Sequence, residues 1–251
     1  MRSTLPAAVP LLLAAALSAC GSPEPAAGGE VVVFAAASLT ETFTELGTRF
    51  EDANPGTTVT VSFGGSSGLA TQIVEGAPVD VFASASPATM DQVVEADAVS
   101  GKPAVFARNA LEIAVPAGNP GRVTGLADFG DEDRTIALCA EQVPCGAAAR
   151  QALASAGVAA KPDTLEQDVR AVLTKVELGE VDAALVYHTD VLAAGDEVEG
   201  IALPESAAAV NDYLVATLAE APNPDRAAAF VAFVRSEQGR SVLADAGFQA
   251  P

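Results

Sequence analysis

Serine recurs in this chain at two places where a strand should give way to a helix. Phe34-Ala35-Ala36-Ala37-Ser38-Leu39-Thr40 follows the apolar run 31–33, and Ser62-Phe63-Gly64-Gly65-Ser66-Ser67-Gly68 follows a second run at 59–61. At such a junction the first N–H groups of the helix lack intrahelical partners, serine adds a hydroxyl, and the helix dipole adds positive potential. One junction is an ordinary helix cap. Two facing each other make a cradle of donors for an oxyanion. The same residues admit a rival chemistry. Gly64-Gly65-Ser66-Ser67-Gly68 matches Gly-x-Ser-x-Gly in the strand–turn–helix setting of a nucleophile elbow, with His188 downstream and acidic residues between. A hydrolase, however, would have to use the sole histidine as its base, shows no His-Gly oxyanion loop, and leaves Ser38 without a role. The donor cradle is the stronger reading, with sulfate, phosphate or an organic anion as alternative ligands.

The elements that must position these serines alternate strand and helix along the chain. Strands are expected at 31–34, 58–63, 80–84, 111–115, 135–139, 182–187 and 212–218. A helix over 38–50 carries Leu39, Phe43, Leu46 and Phe50 on one face, with Ser38-x-x-Glu41 as a capping box. Further helices are expected at 66–75, after the Ser86-Pro87 cap, at 126–129, 146–156 and 168–178. After Pro224 a final helix over 225–236 leads into a helical tail reaching Phe248. This rhythm implies parallel sheets with helices on both faces.

Residues 1–20 read as an export signal: Arg2 is the positive start, 9–17 the apolar stretch, and Leu17-Ser18-Ala19-Cys20 ends it. That ending resembles a bacterial lipobox, which makes Cys20 the lipidated first residue of the exported chain. The weaker reading is a plain signal peptide with a chance cysteine. The Gly-, Ser-, Pro- and Ala-rich segment 21–29 is a flexible tether. Roughly 220 residues remain, enough for one large or two modest α/β domains. With 33 acidic against 13 basic residues and a net charge of −20, nucleic acid and anionic membrane surfaces are excluded as partners. The absence of tryptophan leaves little for sugar stacking. Export permits disulfides, and with Cys20 set aside Cys139 and Cys145 are the remaining pair. The rival is a metal site, but two thiols and a lone His188 fall short of a tetrahedral set.

Six segments occur together in a familiar order: the Ser38 and Ser66 junctions, Gly76-Ala77-Pro78-Val79-Asp80, Val143-Pro144-Cys145-Gly146, Asp168-Val169-Arg170 and Leu185-Val186-Tyr187. In this the chain resembles the extracytoplasmic molybdate-binding proteins of bacterial ABC importers, from Val31 to Phe248. The resemblance implies an α/β fold, a two-lobed type II periplasmic-binding-protein clamshell with a mostly parallel sheet flanked by helices in each lobe. Lobe 1 would comprise 30–110 plus 215–251 and lobe 2 residues 111–214. It implies a molybdate or tungstate oxyanion held by neutral donors alone: Ser38 and Ser66 through side chain and backbone, the N–H groups of Cys145 and Val169, and the Tyr187 hydroxyl. Where this chain has Cys145, many members carry a small residue such as alanine, a departure that a main-chain donor tolerates. Molybdenum would be held only as its oxyanion, with no cofactor and no catalytic residue. The implied partners are an ABC permease and, through Cys20, the extracytoplasmic face of the cell membrane, with the protein a monomer.

The chemistry is consistent with this set. Molybdate and tungstate are tetrahedral dianions without a proton near neutral pH, so their site needs only donors, which serine, tyrosine and backbone N–H supply. Burying Lys or Arg against the anion would add a desolvation cost, and the acidic surface is no obstacle to a site built from local dipoles. Taken singly, the residues say less. Ser38 alone would be a cap, Tyr187 a core residue, Val169 nothing at all, His188 an exposed histidine, and Asp131-Glu132-Asp133 a solvated turn rather than a metal site.

Overall fold

The computed structural model describes residues 29–204 and 209–251. The export signal, Cys20 and the tether up to residue 28 lie outside the described residues. Gly29, assigned above to the tether, is instead the first residue of a strand and pairs with Thr57.

The strands are β1 (Gly29–Ala36), β2 (Thr57–Gly64), β3 (Val81–Ser84), β4 (Val99–Pro116), β5 (Ile136–Cys139), β6 (Thr164–Glu166), β7 (Ala183–Tyr187), β8 (Val198–Ile201) and β9 (Val210–Leu218). The helices are α1 (Thr40–Ala53), α2 (Ser66–Val74), α3 (Pro87–Glu95), α4 (Pro144–Ala156), α5 (Val169–Glu177), α6 (His188–Ala194), α7 (Pro224–Val234) and α8 (Glu237–Asp245). The strands run in the order β2-β1-β3-β9-β4-β7-β5-β6, with β8 also on β4. Each half therefore has three parallel strands, β2-β1-β3 and β7-β5-β6, joined through antiparallel pairings of β9 and β4.

Alternation in β1 explains the layering of the first half. Val31, Val33 and Ala35 face a core that includes Phe43, Phe50 and Phe230, while Val32 and Phe34 face a second core around Leu69, Phe82 and Met90. Helix α1 buries Leu39, Phe43, Leu46 and Phe50, as its spacing demands, and Phe50 meets Phe230 of α7 edge-on at 5.2 Å. The second half has its own core around Ile113, Phe129, Ile136, Val172 and Leu185. Asp80 is fully buried because both carboxylate oxygens accept backbone N–H bonds, from Val32 at 2.8 Å and Asn223 at 2.6 Å.

The structure departs from the sequence reading in a few elements. The strand expected at 111–115 is the end of β4, whose earlier part pairs with β9 through register shifts near Gly101 and Pro103. Those two residues break the apolar alternation that would have revealed it. Helix α6 and strands β6 and β8 are too short to leave a period. The expected capping box does not form. Ser38 sits in a 3-10 turn, Ala37–Leu39, and Leu39 is the N-cap of α1, without a side-chain cap. Both supposed cap residues bond elsewhere: Ser38 to Tyr213 and Glu41 to Arg170.

Candidate oxyanion-binding site

Six strand ends converge on one cavity. In the first half, the residues at and after the ends of β1, β2 and β3 bring in Ala36, Ala37, Ser38, Gly64, Gly65, Ser66 and Ala85. In the second half, those after β5 and β6 and at the end of β7 bring in Val143, Pro144, Cys145, Asp168, Val169 and Tyr187. All five residues singled out in the sequence therefore line a single cavity. The room within it is small, about 20 Å³. Each of the five is nearly inaccessible: Ser66 and Tyr187 1 % exposed, Val169 3 %, Cys145 4 % and Ser38 5 %.

Helix starts supply the backbone donors. Ser66 and Val169 are the first residues of α2 and α5, and Cys145 is the second of α4, after Pro144 at the first position. Their N–H groups precede the first intrahelical bonds. The Cys139–Cys145 disulfide is formed and closes the loop between β5 and α4. Gly146 must be glycine here, because a β carbon would stand 2.0 Å from the Ala140 carbonyl oxygen.

The hydroxyl donors share a feature that the sequence did not reveal: each is approached from behind by a protein group. The Ala85 N–H donates to Ser66 Oγ at 3.1 Å, and Asn211 Nδ2 donates to the Tyr187 hydroxyl at 3.0 Å while also holding the Ala85 carbonyl at 2.7 Å. Ser38 Oγ lies 2.8 Å from the Tyr213 hydroxyl, which Asn109 also reaches with a side-chain hydrogen bond. With a donor at the back, the Ser66 and Tyr187 hydroxyls have their own protons to offer, while the Ser38–Tyr213 bond can run in either direction. Asn211 and Tyr213, both on β9, are thus part of the site although neither lies in a motif. A paired, buried Asn is invisible in a single sequence.

Burial is the first reason that the Tyr187 hydroxyl titrates well above its ordinary range, with Tyr213 and Asp190 adding to it. Burial likewise pushes Tyr213 up. Both stay neutral donors. Asp168 is the one carboxylate lining the cavity, and its Oδ1 is engaged by the Ala171 N–H at the start of α5. Behind the site, Asp190 is 2 % exposed and accepts the Tyr187 N–H at 2.9 Å. Desolvation pushes its pKa up to about 7, against the lowering effects of that bond and of Arg170.

His188 is not brought to Ser66. Its Nδ1 lies 2.7 Å from Glu112 Oε2, its side chain is 48 % exposed, and it does not line the cavity. The elbow-like turn therefore does not have His188 as a base beside its serine. The acidic run 131–133 is an exposed turn in which Glu132 pairs with Lys161 and Asp131 Oδ1 accepts the Asp133 N–H. No cluster of metal-ligating side chains occurs among the described residues, and no helix among them is long and apolar enough to cross a membrane.

Two α/β halves that aim helix starts and hydroxyls at one buried cavity between them define a two-lobed binding protein for a small anion. The chain belongs to the family of bacterial extracellular solute-binding proteins, which it matches over residues 31–249, a family of binders rather than enzymes. It is 41 % identical over 251 residues to the molybdate-binding protein ModA of Mycobacterium tuberculosis, covering 97 % of this chain and 96 % of that one. The molybdate-binding protein ModA of Escherichia coli is 31 % identical over 233 residues, 88 % of this chain and 89 % of the relative. Among solved structures, the periplasmic molybdate-binding protein of Azotobacter vinelandii superposes with a TM-score of 0.77 at 22 % identity, covering 88 % and 99 % of the two chains. The sulfate-binding protein SubI of Mycobacterium tuberculosis superposes equally well, at 0.77 and 17 % identity over 88 % and 87 %. One fold thus serves different oxyanions, and the ligand must be argued from the site.

Proposed function

We propose that this protein binds molybdate, and tungstate as its close analogue, in the cavity between its lobes and delivers it to an ABC permease for import. The observation that carries the reading is the donor set. Ser38, Ser66 and Tyr187, whose hydroxyls have protein partners behind them, line one cavity with Cys145 and Val169 at helix starts, and in this reading all five donate to the anion. Such a set suits a dianion that brings no proton, with Asp168, the carboxylate among the lining residues, turned by its Oδ1 to the Ala171 N–H. No cationic side chain lines the cavity, so the anion is held by dipoles and nothing in the site is oxidised, attacked or protonated. In this reading the protein is not an enzyme, molybdenum enters only as its oxyanion, and no cofactor takes part. The relatives named for molybdate support the choice over sulfate.

Thermal unfolding with a panel of oxyanions tests the ligand. Molybdate and tungstate should raise the melting temperature well above the shift with sulfate. A smaller anion in a cradle of fixed donors leaves some bonds long, and each such bond forfeits part of about 1.5–3 kcal/mol. Equal shifts for sulfate and molybdate would sink the reading. Lipidation of Cys20, proposed from the sequence, would tether a monomer to the extracytoplasmic face of the membrane. Fractionation checks it: Cys20→Ala should move the protein to the soluble fraction, and retention in the membrane would refute the anchor.

A further inference from the structure

We propose that Glu41 and Arg170 form a latch that holds the two lobes closed over the anion without touching it, so that they set how long the anion stays bound. The proposal rests on the anion-binding reading above. Glu41 lies in the first turn of α1, shortly after Ser38, and Arg170 is the second residue of α5, next to Val169. Arg170 thus adjoins a residue that lines the cavity and Glu41 lies three residues beyond another, on opposite halves of the molecule. Arg170 Nη2 stands 2.9 Å from Glu41 Oε1, with the two side chains 34 % and 49 % exposed.

The halves also meet backbone to backbone just before α5. A β carbon on Gly65 would lie 2.2 Å from the Gln167 carbonyl oxygen, although the φ and ψ of Gly65, −62° and 126°, suit any residue. The closeness at Gly65 is therefore set by the opposite half rather than by the turn. Steric contact there limits how far the lobes approach, and the ion pair supplies attraction at the limit.

The contact is single rather than a bidentate fork. Arg170 Nη1 is buried and meets no acceptor among the described residues. A half-exposed ion pair is of the modest kind, which suits a closure that must be undone for delivery. When the lobes separate, Arg170 leaves Glu41 but keeps the carboxylates of its own half, since Asp168 stands two residues before it and Asp190 lies within its electrostatic reach.

A simpler role for Arg170 would be long-range attraction of the anion, and the two roles make opposite predictions at Glu41. If only long-range charge matters, Glu41→Gln removes a negative neighbour and should tighten anion binding. If the pair is a latch, the same change should release the anion about two- to fivefold faster, with little effect on association. The experiment loads the protein with radiolabelled molybdate and chases it with unlabelled anion for wild type, Glu41→Gln, Arg170→Gln, the double variant and the exchanged pair Glu41→Arg/Arg170→Glu. The latch requires that the two single losses fail to add, that the exchanged pair recovers slow release, and that the Glu41→Gln effect shrinks in high salt. Unchanged or slower release from Glu41→Gln overturns it, as does additivity of the two losses. Small-angle scattering of the anion-free proteins separates this from failure of the ligand assignment. Even if molybdate does not bind, Glu41→Gln should be more extended than wild type, and identical profiles in that case overturn the latch.

Discussion

The two halves of the molecule approach the same cavity with different kinds of donor. In the proposed reading the first half offers mainly serine hydroxyls, Ser38 and Ser66, with the Ser66 N–H beside them, while the second offers mainly the main-chain N–H groups of Cys145 and Val169. A hydroxyl can turn, so its usefulness depends on what holds it from behind. That is the work of Ala85 and Tyr213 for the serines and of Asn211 for Tyr187, the one side-chain donor of the second half. A backbone N–H at a helix start cannot turn and needs only the helix. The lesson is that residue identity matters for the hydroxyl donors and residue position for the main-chain ones.

The largest effect should follow from deleting a hydroxyl. Ser66→Ala and Tyr187→Phe should each weaken molybdate binding by about 1.5–3 kcal/mol, roughly 10- to 150-fold, with the fold retained. Isothermal titration reads this directly, and near-normal affinity in both variants would break the contrast between hydroxyl and main-chain donors. Esterase turnover abolished by both Ser66→Ala and His188→Ala would instead revive the hydrolase.

A smaller effect concerns how the second half is held. Asp190 accepts the Tyr187 N–H, and its pKa rises from 3.8 to about 7 on folding. Between those values the folded protein keeps a proton that the unfolded chain has lost. This contribution to stability is fully present below the unfolded value and is lost as pH rises through about 7. Asp190→Asn keeps an acceptor and removes the titration. Its melting temperature should exceed that of wild type at pH 8 and approach it at pH 5. Parallel pH profiles for the two proteins would place the titrating carboxylate elsewhere.

The smallest effects sharpen the comparison from the other side. Val169→Ala leaves the N–H in place, and His188→Ala removes a ring paired with Glu112 outside the cavity. Both should bind molybdate within about threefold of wild type, far less than the loss of a charged hydrogen bond. A hundredfold loss in Val169→Ala would mean that the side chain, not the position, makes the site.

The same division governs what could be read from the sequence. The serine junctions were legible because a β-branched run followed by Ser and small residues has a local physical meaning. Helix α1 was legible because four large apolar residues recur on one face, and the Cys139–Cys145 bridge because few other pairings existed. Val169 was not legible by itself, since a main-chain donor imposes no residue type, and only the order of the neighbouring motifs marked it. Asn211 and Tyr213 were missed because their roles depend on partners far away in the chain. Glu41 misled: Ser-x-x-Glu is a sound local pattern, but Tyr213 and Arg170 offered both residues better partners across the molecule. Tertiary contacts outbid the local cap.

One strand, β4, runs unbroken through both halves, pairing with β9 along its first part and with β7 and β8 along its last. The connection between the lobes is thus a hydrogen-bonded ribbon rather than a slack cord. A cord would let the open protein wander through many orientations, and the anion would have to meet the entropic cost of ending that search. A ribbon permits bending and twisting about a narrow set of directions. A connection of this kind keeps the two sets of donors facing each other, which leaves more of the affinity from the hydroxyls and helix starts for holding the ion.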